Sequence, residues 1–170
     1  MEKQSADAVY SQLDSLNIPY DFVVHEPVQT MEDCKKIDEQ LGAPFCKNLF
    51  LQNRQGTEYF LLLVSENKRF RTAEVSKKIN RARLSFGNEE MLYDLLGLSP
   101  GAISPMGLIH DTQKKVILLM DSDLLKHEKL CVHPCVNTQS LVLKTQDFLE
   151  KFLPHTGHKP VFIEIEENEQ

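Results

Sequence analysis

Lys47 stands at the head of an otherwise apolar run, FCKNLFLQN, where a lysine is unusual unless its amine reaches out of the sheet. Such a lysine is a candidate for chemistry, and a lysine that merely snorkels from a strand end explains the residue as well. Asn48 beside it would point to the opposite face. A second candidate is the loop LSPGAISPMGLIHD at 98–111, which carries Pro100, Gly101, Pro105 and Gly107. The residues between them, Ala102, Ile103 and Ser104, are small or apolar where a loop is usually polar. That is tighter punctuation than an ordinary connection needs, although a rigid turn between a helix and a strand would also use it. A third is CVHPCVN, with Cys131, His133 and Cys135 at alternate positions that a strand projects to one face. No fourth ligand is evident and Pro134 interrupts the strand, so the spacing falls short of a structural zinc site. With Asn137 following, His133 marks either a satisfied turn or one wall of a site. His155 and His158 flank Gly157 in a loop and read as solvated.

Familiar catalytic signatures are missing: there is no GxSxG elbow, no Walker-type phosphate loop, no GxGxxG and no HExxH. Any chemistry must come from less conspicuous residues held by the fold. Ser5 can cap a helix in which Ala6, Val9, Leu13 and Leu16 follow helical spacing, ending near Asn17 and Pro19. YDFVVHE reads as a strand. Thr30 with Asp33 is a capping pair for the helix MEDCKKIDEQL, which Gly42 and Pro44 stop. CKNLFLQNRQGTEYFLLLVS reads as two strands around a turn at Asn53 to Gly56. TAEVSKKIN and NEEMLYDLL read as helices, and MGLIHD and KKVILLMDS as strands. KLCVHP with TQSLVLK makes a further strand pair, before a helix at TQDFLEKFL and a last strand at KPVFIEI. Hairpins are too frequent for a regular doubly wound fold. The pattern therefore predicts an α+β fold: a curled, mixed, mostly antiparallel sheet flanked by helices.

At 170 residues, with 41% hydrophobic and 26% charged residues, the chain is expected to form one soluble domain spanning residues 1–170. No apolar run approaches the roughly 20 residues of a membrane helix, and MEKQSADAVYSQLD lacks the apolar core of a secretory signal. A cytoplasmic location is expected, with Cys34, Cys46, Cys131 and Cys135 kept as thiols. The net charge of −6 argues against a general nucleic-acid coat and against DNA as a partner. Lys68, Arg69, Arg71, Lys77, Lys78, Arg81 and Arg83 nevertheless cluster against Glu74 alone. Such a run is either a solvated helix face or a phosphate-contacting patch that positions a partner without reading bases.

Five segments taken together resemble the YbaK and prolyl-tRNA-synthetase editing-domain family, and within it the free-standing prolyl-tRNA editing proteins. They are HEPVQT at 25–30, CKNLFL at 46–51, GAISPMGL at 101–108, VHPCVNT at 132–138 and GHKP at 157–160. Each is weak alone, but they occur in the family's order and span nearly the whole chain. Gln29 departs from the apolar residue typical of the family. The resemblance implies a barrel-like mixed sheet and an aminoacyl-tRNA deacylase, a carboxylic ester hydrolase working without metal or organic cofactor. It identifies Lys47 with the family's essential lysine and Gly101 to Pro105 with its GxxxP loop. It implies a substrate-binding set of Asn48, Gly101, Ala102, Ile103, Ser104, Pro105 and His133, and partners in the acceptor end of mischarged tRNA(Pro) and, transiently, prolyl-tRNA synthetase.

On that resemblance the loop would hold the ester-bearing 3′ end, with glycine admitting close approach and proline limiting freedom before binding. Its backbone amides would stabilise charge developing on the attacked carbonyl, and water would attack. Members sharing KNLFL and GxxSPxGL act on alanyl-tRNA(Pro), while relatives remove cysteine or serine. A pocket shaped for proline rejects a smaller amino acid by only about 1–3 kcal/mol, so a second, hydrolytic site is needed. Two other classes stay open: a non-catalytic amino-acid or tRNA binder, and a thiol or zinc hydrolase using Cys46 or the Cys131, His133 and Cys135 group.

Overall fold

In the computed structural model, which describes residues 6–27, 31–66 and 68–166, eight strands form two sheets. The capping residues Ser5 and Thr30, together with Gln29, lie outside the described residues. Helix α1 (Ala6–Ser15) buries Val9 and Leu13 completely, as their helical spacing requires. Strand β1 (Tyr20–Val24) follows, then α2 (Met31–Leu41), which Gly42 ends with φ of 72°. Strands β2 (Cys46–Gln52) and β3 (Tyr59–Ser65) make the expected antiparallel hairpin, Lys47 lying opposite Val64. The Asn53 side chain closes the turn by accepting from the amides of Thr57 and Glu58.

Residues 66–115 then cross over, because β3 is parallel to its next neighbour and parallel strands cannot be joined by a tight turn. The crossover holds α3 (Thr72–Lys78), a short edge strand β4 (Ser85–Phe86) paired with the end of β2, and α4 (Glu89–Leu96). Asn88 caps α4 by accepting from Met91 N at 2.7 Å, and Gly97 closes it in the left-handed region. Strand β5 (Val116–Asp121) comes next, followed by the antiparallel pair β6 (Lys129–Val132) and β7 (Gln139–Lys144). A helical run over Thr145–Asp147, Phe148–Phe152 and Leu153–Thr156 leads to β8 (Val161–Ile163), parallel to β5.

The strand orders are β1-β7-β6 and β4-β2-β3-β5-β8, and a parallel bridge from Phe45 to Cys131 links them. Most pairings are antiparallel, as the frequent hairpins predicted. Alternation along β2 divides the interior. Cys46 and Phe50 join the main core with Leu61, Leu63, Met106, Val132 and Leu141, while Leu51 packs with Phe60, Leu62, Val75 and Leu84 on the other face.

Three expectations are corrected. MGLIHD is not a strand: Pro105–His110 is a 3-10 segment, with Pro105 at its first position and the Ser104 hydroxyl accepting from Met106 N at 3.1 Å. A short apolar run carries no periodicity that separates the two states, and the cap decides. His158 is not solvated but 5% exposed, with Nε2 2.8 Å from Asp111 Oδ2. Lys68 is 2% exposed and so lies outside any surface patch.

Candidate functional site

Two of the segments selected from the sequence, FCKNLFL and CVHPCVN, meet at the start of β2. Phe45 bridges Cys131 in parallel register, and its ring lies 5.6 Å from that of His133. His133 follows the last residue of β6, Val132, and lies beside the Phe45 ring just ahead of β2. The Lys47 ammonium donates to the main-chain carbonyl of Lys68 at 2.7 Å. Asn48 lies on the opposite face with Cys46 and Phe50; its Nδ2 donates to Cys46 O at 3.1 Å and its Oδ1 is buried without a partner.

His133 has a defined protonation. Its Nδ1 is 2.9 Å from Gln139 O, and a carbonyl can only accept, so Nδ1 carries the proton. Burial pushes its pKa down, with the Gln139 carbonyl opposing and His25 adding to the shift. The imidazole is therefore held neutral, with Nε2 left as an acceptor. His25, 6.4 Å away ring to ring, repeats the pattern: Nδ1 donates to Glu26 O at 2.6 Å and Nε2 lies 2.7 Å from the Ser140 hydroxyl. In the sequence His25 is visible only as the first residue of HEPVQT. Its pairing with Ser140 could not be read from spacing.

The GxxxP loop reaches this place from the crossover. Pro100–Ala102 forms a 3-10 turn, Gly101 is exposed and Ala102, Ser104 and Pro105 are buried, with Ile103 between. The Ser104 hydroxyl donates to the main-chain carbonyl of His133, tying the loop to the bend after β6. A Cβ on Gly101 would stand 3.4 Å from Asn137 Nδ2, about van der Waals contact. Gly107 is more constrained, since a Cβ there would meet Leu96 O at 2.8 Å. The loop is thus packed on its inner side and open at Gly101, whose amide, in the first turn of a helix, has no intrahelical partner.

Cys46, Cys131 and Cys135 do not make a metal or thiolate centre. Cys131 packs with Phe45, Ile37 and Val142, whereas Cys135 belongs to the main core on the other face, so the two thiols and His133 do not converge. Among the described residues no group of three His, Cys, Asp or Glu could hold a metal ion. Burial pushes both the Cys46 and Cys135 thiols up to about 12. Such thiols are not nucleophiles at neutral pH.

The basic cluster is smaller than the sequence indicated. Lys68 is buried, and Arg81 is engaged with Glu58 at 3.0 Å and 3.2 Å. Arg71, Lys77, Lys78 and Arg83 stay exposed on and beside α3.

Residues 25–151 match the model of the aminoacyl-tRNA editing domain. The chain belongs to the aminoacyl-tRNA editing domain family. It is 33% identical over 165 residues to the prolyl-tRNA editing protein ProX of Acetoanaerobium sticklandii, covering 97% of this chain and 100% of that one. It is 28% identical over 165 residues to the prolyl-tRNA synthetase associated domain-containing protein 1 of Bos taurus, covering 95% of each. Among solved structures, that of a candidate trans-editing enzyme for prolyl tRNA synthetase superposes with a TM-score of 0.70 at 18% identity, over 96% of this chain and 97% of the other. That likeness shows the editing-domain fold. His25, Lys47, the GxxxP loop and His133 all fall within the matched span, and no described helix is long and apolar enough to cross a membrane.

Proposed function

We propose that this editing domain hydrolyses the aminoacyl ester of mischarged tRNA(Pro), with alanyl-tRNA(Pro) as its substrate and water as the attacking group. The observation that supports the reading is the joint at Phe45, two residues before Lys47, whose ring lies 5.6 Å from that of His133 while the Ser104 hydroxyl of the GxxxP loop donates to the His133 carbonyl. The ProX relative, a prolyl-tRNA editing protein, supports the choice of tRNA. The terminal ester would lie over Gly101, whose amide faces charge developing on the carbonyl oxygen. Lys47 would hold the carbonyl or the terminal nucleotide by charge and geometry; an ammonium cannot serve as the base. The neutral His133, with Nε2 as acceptor, would receive a hydrogen bond from water or from the ribose hydroxyl beside the ester. The buried, protonated thiols of Cys46 and Cys135 favour water over a covalent intermediate. In this reading the protein acts in the cytoplasm, alone or in passing contact with prolyl-tRNA synthetase, on the acceptor end of the tRNA.

The test is single-turnover deacylation of tRNA(Pro) charged separately with alanine, cysteine, serine and proline. Alanyl-tRNA(Pro) should be hydrolysed fastest and prolyl-tRNA(Pro) spared. Lys47→Ala should fold normally and lose about 10²-fold or more in rate, the loss expected from a misplacement of about 1 Å. Lys47→Arg keeps the charge and changes its reach, so its failure would assign geometry a part beyond charge. Equal rates for wild type and Lys47→Ala would remove Lys47 from the site, and binding of tRNA without hydrolysis of any ester would make the protein a binder.

A further inference from the structure

Lys68 is buried on a protein whose acidic groups could all have stayed in water. Its ammonium lies 3.0 Å from Asp121 Oδ1, 2.6 Å from Asp123 Oδ2 and 2.6 Å from the carbonyl of Ile165, so each of its three donors meets an acceptor. Asp121 is 0% exposed and also accepts from the amides of Ser65 and Asp123. Lys126 lies 2.9 Å from Asp123 and balances the second carboxylate. The main chain of Lys68 is pinned as well, its amide donating to Ser65 O at 3.1 Å. What remains of the residue is its carbonyl, and that carbonyl accepts from Lys47 Nζ at 2.7 Å.

We infer that Lys68 is a positioning residue for Lys47: its buried side chain anchors the segment after β3 so that its own carbonyl fixes where the Lys47 ammonium stands. A buried ion pair is seldom better for stability than well-packed apolar residues of the same volume, so this cluster is poorly explained as stabilisation alone. It does supply a rigid reference point. The anchor draws on the end of β3, the end of β5, the turn Ser122–Lys126 and Ile165 beyond β8, four places that share no local sequence. Without it, the carbonyl that orients Lys47 would lose the side-chain anchor of its own residue. The inference rests on the assignment of Lys47 to the reaction.

The experiment is a double-mutant cycle read by single-turnover deacylation of alanyl-tRNA(Pro). Lys68→Met is combined with Asp121→Asn, which removes the buried charge from both partners and avoids an orphaned carboxylate. This variant should fold, bind the tRNA with unchanged affinity, and hydrolyse about 10-fold to 10²-fold more slowly. In a Lys47→Ala background the same pair should slow the reaction no further, because a residue acting through Lys47 has nothing left to position. The ¹⁵Nζ resonance of Lys47, which reports its carbonyl contact, should shift in the Lys68→Met, Asp121→Asn protein. If that variant does not fold, Asp123→Asn, at a partly exposed partner, should shift the same resonance and slow hydrolysis by a smaller factor. An equal slowing in both backgrounds would make Lys68 a structural residue and overturn the inference, as would an unchanged rate with an unshifted Lys47 resonance. Full activity of Lys47→Ala on its own is a separate outcome: it removes Lys47 from the site, and the positioning role falls with it.

Discussion

The Ser104 hydroxyl donates to the main-chain carbonyl of His133 while accepting from the amide of Met106. One buried side chain thereby caps the 3-10 segment Pro105–His110 and fastens the GxxxP loop to the bend that carries the histidine. Ser104→Ala leaves a buried carbonyl unpaired and removes the cap, at a cost of about 1–3 kcal/mol. Deacylation should fall further than stability explains, since loop and histidine would no longer be held in register. Urea unfolding beside single-turnover rates checks this, and a destabilised variant with wild-type rates would separate the tie from the site.

His158 and Asp111 form a second buried pair, 2.8 Å apart, that fastens the chain after the last helical turn to the start of β5. Burial alone would raise Asp111, but His158 and the amides of Val116 and Lys115 outweigh it and hold the carboxyl below its ordinary range. A depressed acid contributes stability that is present above its unfolded pKa of about 3.9 and is lost as pH falls through the folded value. Asp111→Ala should cost roughly 1–3 kcal/mol at pH 7, the usual loss when buried hydrogen-bonding partners are left unpaired. The difference from wild type should shrink below about pH 4. Urea midpoints at pH 7 and pH 3 measure it; a constant difference would contradict the pairing.

Asp38 behaves in the opposite sense. Burial, then the neighbouring Glu66, raises its carboxyl to about 7, against the lowering effect of the Phe45 amide. Between about pH 4 and 7 the folded chain holds a proton that the unfolded chain has released, so stability falls as pH rises through that window. Asp38→Asn should flatten this dependence and raise the urea midpoint at pH 8 relative to wild type. The Glu66 carboxylate also accepts from Phe45 N at 3.2 Å, which ties this pair to the chain just before β2. An unaltered pH slope in Asp38→Asn would dismiss the proton-sharing pair.

Around α3, changing Arg71, Lys77, Lys78 and Arg83 to glutamine should weaken tRNA binding with little effect on folding, because these side chains are exposed. For every phosphate that a substituted side chain no longer neutralises, the logarithmic salt dependence should flatten by about one unit. Binding isotherms between low and moderate salt decide it. A slope equal to that of wild type would return this face to ordinary solvation.

Residue types and their order were enough to determine the helices with clear 3.6-residue spacing, the β2–β3 hairpin and the set of segments that marks the editing-domain family. These are local signals: a cap, a turn residue or an alternation acts over a few neighbouring positions, and the family's motifs are short strings. Only the tertiary structure decided which of those residues meet. Lys68 looked like one more cation in a surface run until Asp121, 53 residues away, met it inside the molecule. His158 read as solvated until Asp111, 47 residues away, took its Nε2. MGLIHD read as a strand because a short apolar run is equally consistent with either state, and the Ser104 cap and the His133 carbonyl settled it. Burial and long-range hydrogen bonding depend on where the chain returns to itself, and the free energy of pairing a buried charge exceeds the local preferences from which a sequence is read.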